Sequence, residues 1–284
     1  MIEARVRIAH TCSAYEHSTA DPIMALLRPG ESGSAGATAQ PGAVSAKRDG
    51  LQHRFHHQRQ FRVHAGLRLP SRTETAQLPS NAGHARGGRD GVFAERGFEQ
   101  TIVSPQGGRS PLEPRSLKFP AYDKTAKAWR ADPERMALLE NTAAPDEIDP
   151  ADFDAIYFTG GHAVMYDFPD SEGLQRITRE IFERGGIVSS VCHGYCGLLN
   201  TTLSDGSHLV AGRKVTGFAW REEVLARVDK LVPYNAEEEM KKRGALYEKA
   251  KLPFVSYAVA DGNLVTGQNP GSAKKTAKKV ADLL

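Results

Sequence analysis

Beyond residue 91 the apolar positions fall into two alternating rhythms. Short apolar runs closed by glycine or proline read as strands, and apolar residues three and four apart read as helices. Residues 154–159 form the clearest strand: Ala155-Ile156-Tyr157-Phe158 is apolar throughout and stops at Gly160-Gly161-His162. Residues 171–184 read as a helix, with Leu174, Ile177, Ile181 and Phe182 on one face. Gly185-Gly186 then opens a second apolar strand, Ile187 to Val191, which runs directly into Cys192-His193-Gly194 and a predicted helix over 195–200. The same reading places a helix end at 92–96, stopped by Gly97, and a strand over 98–104. A loop covers 106–120, and helices cover 124–129 and 133–141. A short strand at 214–218 and a charged helix at 236–243 follow. A strand over 254–260 turns at Asp261-Gly262-Asn263 into 264–267, and a terminal helix over 270–284 begins at Pro270.

Strands alternating with helices predict an α/β fold: a three-layer sandwich of a mostly parallel sheet with helices on both faces. Residues 1–91 follow no such rhythm after the first thirty. They are rich in Ala, Gly, Ser, Pro, Gln and His, and hold 11 Arg but one Lys, against 12 Arg and 13 Lys in 92–284. The expected organisation is an atypical, largely disordered segment over 1–91 and an α/β domain over 92–284. The abrupt Arg-to-Lys switch also fits a segment foreign to the domain. An Arg-rich mitochondrial leader is the weaker reading, because Glu3, Glu16, Asp21 and Glu31 interrupt it.

Composition narrows the function classes. The 284 residues are 40% hydrophobic and 25% charged with a net charge of +3, which gives no reason to invoke nucleic acid. No run reaches the roughly 18 apolar residues of a membrane span. Three cysteines in a chain of this length make no disulfide framework, so a reducing, cytoplasmic compartment is expected. His53, His56 and His57 cluster, but with no carboxylate or thiol at ligand spacing no metal site is expected there.

The chemistry concentrates where the second strand ends. Sites in such sheets lie at the carboxyl ends of strands, and two loops qualify: Gly160-Gly161-His162 and Cys192-His193-Gly194. A cysteine at a strand-to-helix turn is expected to stand clear of the core, where a helix N-terminus favours its thiolate. Cys192 is therefore the candidate nucleophile. A lone intracellular cysteine is more often a small buried hydrophobe, but the adjacent His193 and Gly194 favour the catalytic reading. Cys196, one turn on, reads as a packing residue, with a resolving thiol as the lesser alternative. The Gly-Gly pair lets backbone N–H groups approach a bound oxygen. Glu222 and Glu223 read as a surface helix start, since acids favour first turns, with replacement of a site acid as the lesser reading. Trp220 either lines a pocket or packs. The Lys274, Lys275, Lys278, Lys279 face of the last helix reads as solvated.

These residues carry a resemblance. The chain resembles the ThiJ/PfpI superfamily, of flavodoxin-like, class I glutamine amidotransferase-like fold, and more closely its heat-shock-chaperone-like, glutathione-independent glyoxalase (glyoxalase III) branch. The matching segments are Ser104-Pro105-Gln106-Gly107-Gly108, Thr159-Gly160-Gly161-His162 with Asp167-Phe168-Pro169-Asp170, Val191-Cys192-His193-Gly194, Val215-Thr216-Gly217-Phe218, and Asp261 to Pro270. They span about residues 92–284. The resemblance implies Cys192 as nucleophile and His193 as catalytic histidine. It implies an oxyanion hole from the Gly161 and His193 N–H groups and a pocket lined by Gly160, His162, Gly194 and Tyr195. It also implies a homodimer. Two departures touch the pocket: Tyr195-Cys196-Gly197 stands where the family carries small residues, and Ala163 replaces a glycine. A third concerns the acid that the family sets against the cysteine. Counting back twelve residues from Gly97 reaches Ala85. The usual first strand is also unrecognisable. Either Val6-Arg7-Ile8-Ala9 supplies a substitute, or the domain lacks that strand and the helix that follows it.

The implied activity is conversion of methylglyoxal and similar 2-oxoaldehydes to 2-hydroxy acids such as lactate, with no glutathione, metal or redox cofactor. Three alternatives stay open: a related cysteine hydrolase or deglycase, a redox-responsive holdase chaperone, and an inactive member lacking its acid. An amidotransferase triad is disfavoured, because His208 is followed by Leu209-Val210 rather than by x-Glu.

Overall fold

A computed structural model of the chain describes residues 7–11, 91–112, 127–128 and 130–284. The chain order is β1 (Arg7–Thr11), α1 (Gly91–Glu95), β2 (Glu99–Val103), α2 (Pro133–Glu140), β3 (Ala155–Phe158), α3 (Val164–Asp167), α4 (Glu172–Glu183), β4 (Ile187–Val191), β5 (Lys214–Val215), α5 (Trp220–Leu225), α6 (Ala236–Lys242), β6 (Leu246–Tyr247), β7 (Ala258–Asp261), β8 (Leu264–Gly267) and α7 (Ala273–Ala281). Six strands form one sheet in the order β2-β1-β3-β4-β8-β7. Every pairing in it is parallel except β7 with β8. The antiparallel pair is the hairpin at Asp261-Gly262-Asn263, where Gly262 takes a positive φ of 59°.

Strand periodicity sorts side chains into two cores. Ile156, Phe158 and Val188 face one side, where they pack with Leu174, Ile177 and Ile181 of α4. Ala155, Tyr157, Ile187 and Val191 face the other, with Phe93 of α1 and Val280 and Ala281 of α7. This is the three-layer sandwich. Helix α4 buries Leu174, Ile177, Thr178 and Ile181 and is capped by Ser171, whose Oγ accepts from the Leu174 N–H. Phe182 is partly buried against the same core.

The first strand is present. Of the two alternatives raised by the sequence, Arg7–Thr11 supplies the substitute and lies inside the sheet between β2 and β3. The expected lack of that strand is thereby corrected. Its alternation was hidden by length: five residues, Arg-Ile-Ala-His-Thr, expose no longer pattern. Ile8 and Ala9 are fully buried on opposite faces, Ile8 with the α7 layer and Ala9 with the α4 layer. The Arg7 N–H donates to Asp154 Oδ2 at 2.8 Å, which fixes the strand's register beside β3. The remainder of 1–90, including Cys12, the His53 cluster and Ala85, lies outside the described residues.

Several element bounds differ from expectation. The strand foreseen at 214–218 shortens to β5, which pairs with β6 in a separate two-stranded sheet. The strand foreseen at 254–260 begins only at Ala258, because Phe254 takes a positive φ of 59° and its N–H donates to Glu222 rather than to a neighbouring strand. The terminal helix opens as a 3-10 turn, Pro270–Ser272, before α7. Among the described residues no helix is long and apolar enough to cross a membrane.

Because Ile8 is fully buried in an interior strand, Ile8→Ala is expected to cost about 2–5 kcal/mol of unfolding free energy in urea titrations. A loss below about 1 kcal/mol would place residues 7–11 outside the sheet.

Candidate active site

Strands β3 and β4 are parallel neighbours with Phe158 paired to Ser190, so both end at the same rim of the sheet. Each then releases a site loop. After β4 the chain turns at once: Cys192 takes a φ of +58°, in the left-handed region that a side chain seldom adopts. A 3-10 helix, Cys192–Leu198, begins at the cysteine itself, so the helix expected over 195–200 starts earlier and is more tightly wound. Two glycines make the turn feasible. A Cβ on Gly160 would stand 2.6 Å from Cys192 Cβ, and one on Gly194 would stand 2.3 Å from the Phe158 carbonyl oxygen. The β3 and β4 ends thus approach closely enough to bring the Gly161 N–H to the cysteine sulfur. That group and the His193 N–H both pull the thiol pKa down.

Cys192 is 7% exposed, so it is not held clear of the core as the turn alone suggested. Burial pushes its thiol up to about 12. The charges of Glu223 and Glu222 add to this, and the two N–H donors only partly oppose it. The expected thiolate at a helix N-terminus therefore gives way to a resting thiol, because desolvation outweighs the dipole of a short helix. The Sγ lies 3.3 Å from His193 Nδ1.

His193 is 1% exposed, and its Nε2 lies 2.5 Å from Glu223 Oε1. The other carboxylate oxygen, Oε2, lies 3.2 Å from His162 Nε2. One carboxylate thus serves two imidazoles whose ring centres are 4.2 Å apart. A carboxylate only accepts, so His193 Nε2 carries the proton and, in the neutral ring, Nδ1 is left as an acceptor facing the thiol. Burial lowers the His193 pKa against the pull of Glu223, which keeps the ring neutral. Burial raises Glu223, but hydrogen bonds and charge from His162 and His193 overcome it and hold the carboxyl down from 4.5 to about 2. Phe218 closes one side, with its ring centre 4.8 Å from that of His193.

Glu223 is the site residue that the sequence reading set aside. Both Glu222 and Glu223 are buried, at 0% and 3% exposure, so neither belongs to a surface helix start. Successive helical residues point about 100° apart, and the two acids divide the work. Glu222 Oε1 accepts from the Phe254 N–H, Gln268 Nε2 and Asn269 Nδ2, and Oε2 accepts from the Ala219 N–H, so Glu222 ties three segments together. Glu223 faces the histidines. An available signal was two consecutive acids at the first turn after a strand that ends at the site.

Tyr195 does not line a pocket. Its ring is fully buried in the core, its hydroxyl donates to the Phe218 carbonyl, and its ring fills the space where a Gly217 Cβ would stand. Cys196 is fully buried with its thiol also raised to about 12 by burial, as a packing residue would be. Trp220 lines a groove of about 500 Å³ with Arg221, Val224, Leu225 and Lys241, apart from Cys192 and His193. Lys274, Lys275 and Lys278 are solvent-exposed. Three side chains of types that can ligate a metal, His162, His193 and Glu223, bring their donor atoms within 4.8 Å of one another.

Two measurements check this electrostatic description. Iodoacetamide labelling of the Cys192 peptide, followed by mass spectrometry, is expected to climb about tenfold per pH unit through pH 9. A plateau below pH 7 would reveal a thiolate that this burial does not permit. In urea titrations the wild type's stability advantage over Glu223→Gln is expected to shrink as pH falls from 4.5 toward 2. The sign follows because the unfolded chain takes up the Glu223 proton first, so acid favours unfolding. A pH-independent difference would contradict the depressed carboxyl.

The family model described as DJ-1/PfpI matches residues 91–283. A probable glutathione-independent glyoxalase of Schizosaccharomyces pombe is 36% identical over 224 residues, covering 68% of this chain and 85% of that protein. A glutathione-independent glyoxalase of Saccharomyces cerevisiae is 33% identical over 203 residues, covering 68% of this chain and 84% of that protein. The crystal structure of glyoxalase III from Candida albicans superposes with a TM-score of 0.61 at 30% identity, covering 67% of this chain and 82% of that one. With the sheet order, the cysteine turn and these likenesses in agreement, the chain belongs to the DJ-1/PfpI family.

Proposed function

We propose that the chain is a glutathione-independent glyoxalase that converts methylglyoxal and related 2-oxoaldehydes to 2-hydroxy acids. The observation that carries this reading is the continuous line from Cys192 Sγ through His193 to Glu223 at the strand ends. The relatives named as glutathione-independent glyoxalases support it.

In the proposed sequence His193 Nδ1 takes the Cys192 proton as sulfur bonds to the aldehyde carbon C1. The hemithioacetal oxyanion is met by the Gly161 and His193 N–H groups, whose influence already reaches the sulfur by lowering its pKa. Glu223 stabilises the imidazolium that forms. Removal of the C1 proton gives an enediol, and protonation at C2 gives a thioester of the 2-hydroxy acid. Water then cleaves the thioester and returns the thiol. C1 is oxidised and C2 reduced by the same two electrons, and the overall change is addition of one water. In this assignment Gly160 and Gly194 shape the turn and His162 lines the open side. The carboxylate missing at Ala85 is answered by Glu223 acting through the histidines.

We further propose a cytoplasmic homodimer. The low cysteine content supports the compartment. Exposed Val224, Leu225, Leu252, Phe254 and Val255 support a second copy as the cover for that surface.

Lactate formation from methylglyoxal without glutathione is the test. Cys192→Ala is expected to abolish it, and Glu223→Gln to lower kcat by about 10²–10⁴-fold. A folded wild-type chain that forms no lactate would overturn the reading.

A further inference from the structure

We propose that His162, His193 and Glu223 also form a binding site for a divalent transition-metal ion of the zinc class, and that the ion and the His193–Glu223 hydrogen bond exclude one another. The metal-binding half of this proposal stands apart from the glyoxalase reading. Its consequence for turnover, reversible inhibition, rests on that reading.

The donor set is two imidazoles and one carboxylate, a combination that binds Zn²⁺ with a fourth position left open. Nothing needs to be brought from afar. His193 Nε2 and Glu223 Oε1 are 2.5 Å apart, His162 Nε2 and Glu223 Oε2 are 3.2 Å apart, and all the donors lie within 4.8 Å of one another. Ligands on a zinc ion at about 2.0–2.2 Å stand roughly 3.3–3.5 Å from each other in a tetrahedron. The two close pairs therefore open slightly and the longest separation closes. His162 can make that adjustment because its side chain is 33% exposed, while His193 and Glu223 are held in the interior.

Two further features suit a metal ligand. A ligating histidine is steadied by a partner on its second ring nitrogen, and His193 Nδ1 already faces Cys192 Sγ at 3.3 Å. The exposed edge at His162 gives an ion a path in and leaves room for a water or a substrate oxygen in the fourth position. Occupancy of His193 Nε2 requires the neutral ring to carry its proton on Nδ1 instead, facing Cys192, and so breaks the link through which Glu223 orients the ring.

The test uses the full chain, reduced and freed of metal, with Co²⁺ alone as the optical probe and Zn²⁺ as its competitor. The wild type is expected to show visible d–d absorption from one tightly held Co²⁺, displaced by Zn²⁺, and a rise in Tm on adding Zn²⁺. Loss of an outer partner alone weakens metal sites about 10–100-fold, so His162→Gln, which removes a ligand at a half-exposed position, is expected to weaken binding by at least about tenfold. It should also abolish the Tm rise. Glu223→Gln should behave alike, and if that variant fails to fold, His162→Gln decides. The seven histidines before residue 92 offer competing donors. Absorption and Tm shifts equal in wild type and His162→Gln would therefore place the ion elsewhere and overturn the proposal, as would the absence of binding. If metal binds as described while no lactate forms from methylglyoxal, the metal site stands and the glyoxalase reading falls.

Discussion

One buried carboxylate sets the chemistry of this molecule. Glu223 carries its charge in a place where water is excluded, and it is tolerated because two imidazoles donate to it. Its acceptor-only character dictates which nitrogen of His193 holds hydrogen, and so which nitrogen faces the sulfur. Without it the ring would be free to present either tautomer to a thiol that burial has made a weak acid. In the proposed mechanism the nucleophile depends on the base, and the base depends on the acid behind it.

The backbone provides the second half of that arrangement. Adjacent parallel strands ending in register bring the Gly160-Gly161 loop against the cysteine turn. The left-handed Cys192 backbone is an expense met by the surrounding packing: Gly194 lies on the end of β3, Gly197 lies on Phe158, and the Phe218 N–H donates to the Cys192 carbonyl. Glu222 holds the far wall by drawing Ala219, Phe254, Gln268 and Asn269 to one carboxylate. The site is thus a junction of five chain segments: the Gly160-Gly161 loop, the Cys192 turn, 218–223, Phe254 and 268–269.

Much of this was legible in the chain. The apolar run of β3, the short β4 of Ile, Val and Ser, and the i, i+3, i+7 face of α4 announced a parallel sheet with covering helices, because strands buried on both faces carry no charged alternation. Cys192-His193 stood out by its place after a strand. Local pattern could not reveal what depends on tertiary packing. Glu223 looks like any acid in a first helical turn until the helix is seen to be buried. Tyr195 follows Cys192 by three residues yet packs in the core, where its ring meets Gly217 and its hydroxyl the Phe218 carbonyl. Thiol acidity was misjudged for the same reason: a helix end can be read locally, whereas desolvation belongs to the whole fold. Five residues of β1, far from the rest of the domain in sequence, carry too few positions to display a period.

That strand has a consequence for how the chain assembles. Within the sheet β2 touches β1 alone, and β1 bridges it to β3. Arg7 pairs with Glu99, 92 positions away, and reaches Asp154, 147 positions away. Apart from a bridge between Val103 and Ala143, strand β2 joins the sheet among the described residues only when this segment, 92 positions earlier in the chain, returns to sit beside it. Closing so long a loop carries an entropic cost that grows with the logarithm of its length, and contacts this distant in sequence slow folding. While β1 is away, β3 exposes a row of unpaired backbone groups, a template for a neighbouring chain. The interval between making β3 and recovering β1 is therefore when a nascent chain is most exposed to misassembly, and a folding factor that shields the β3 edge would act there.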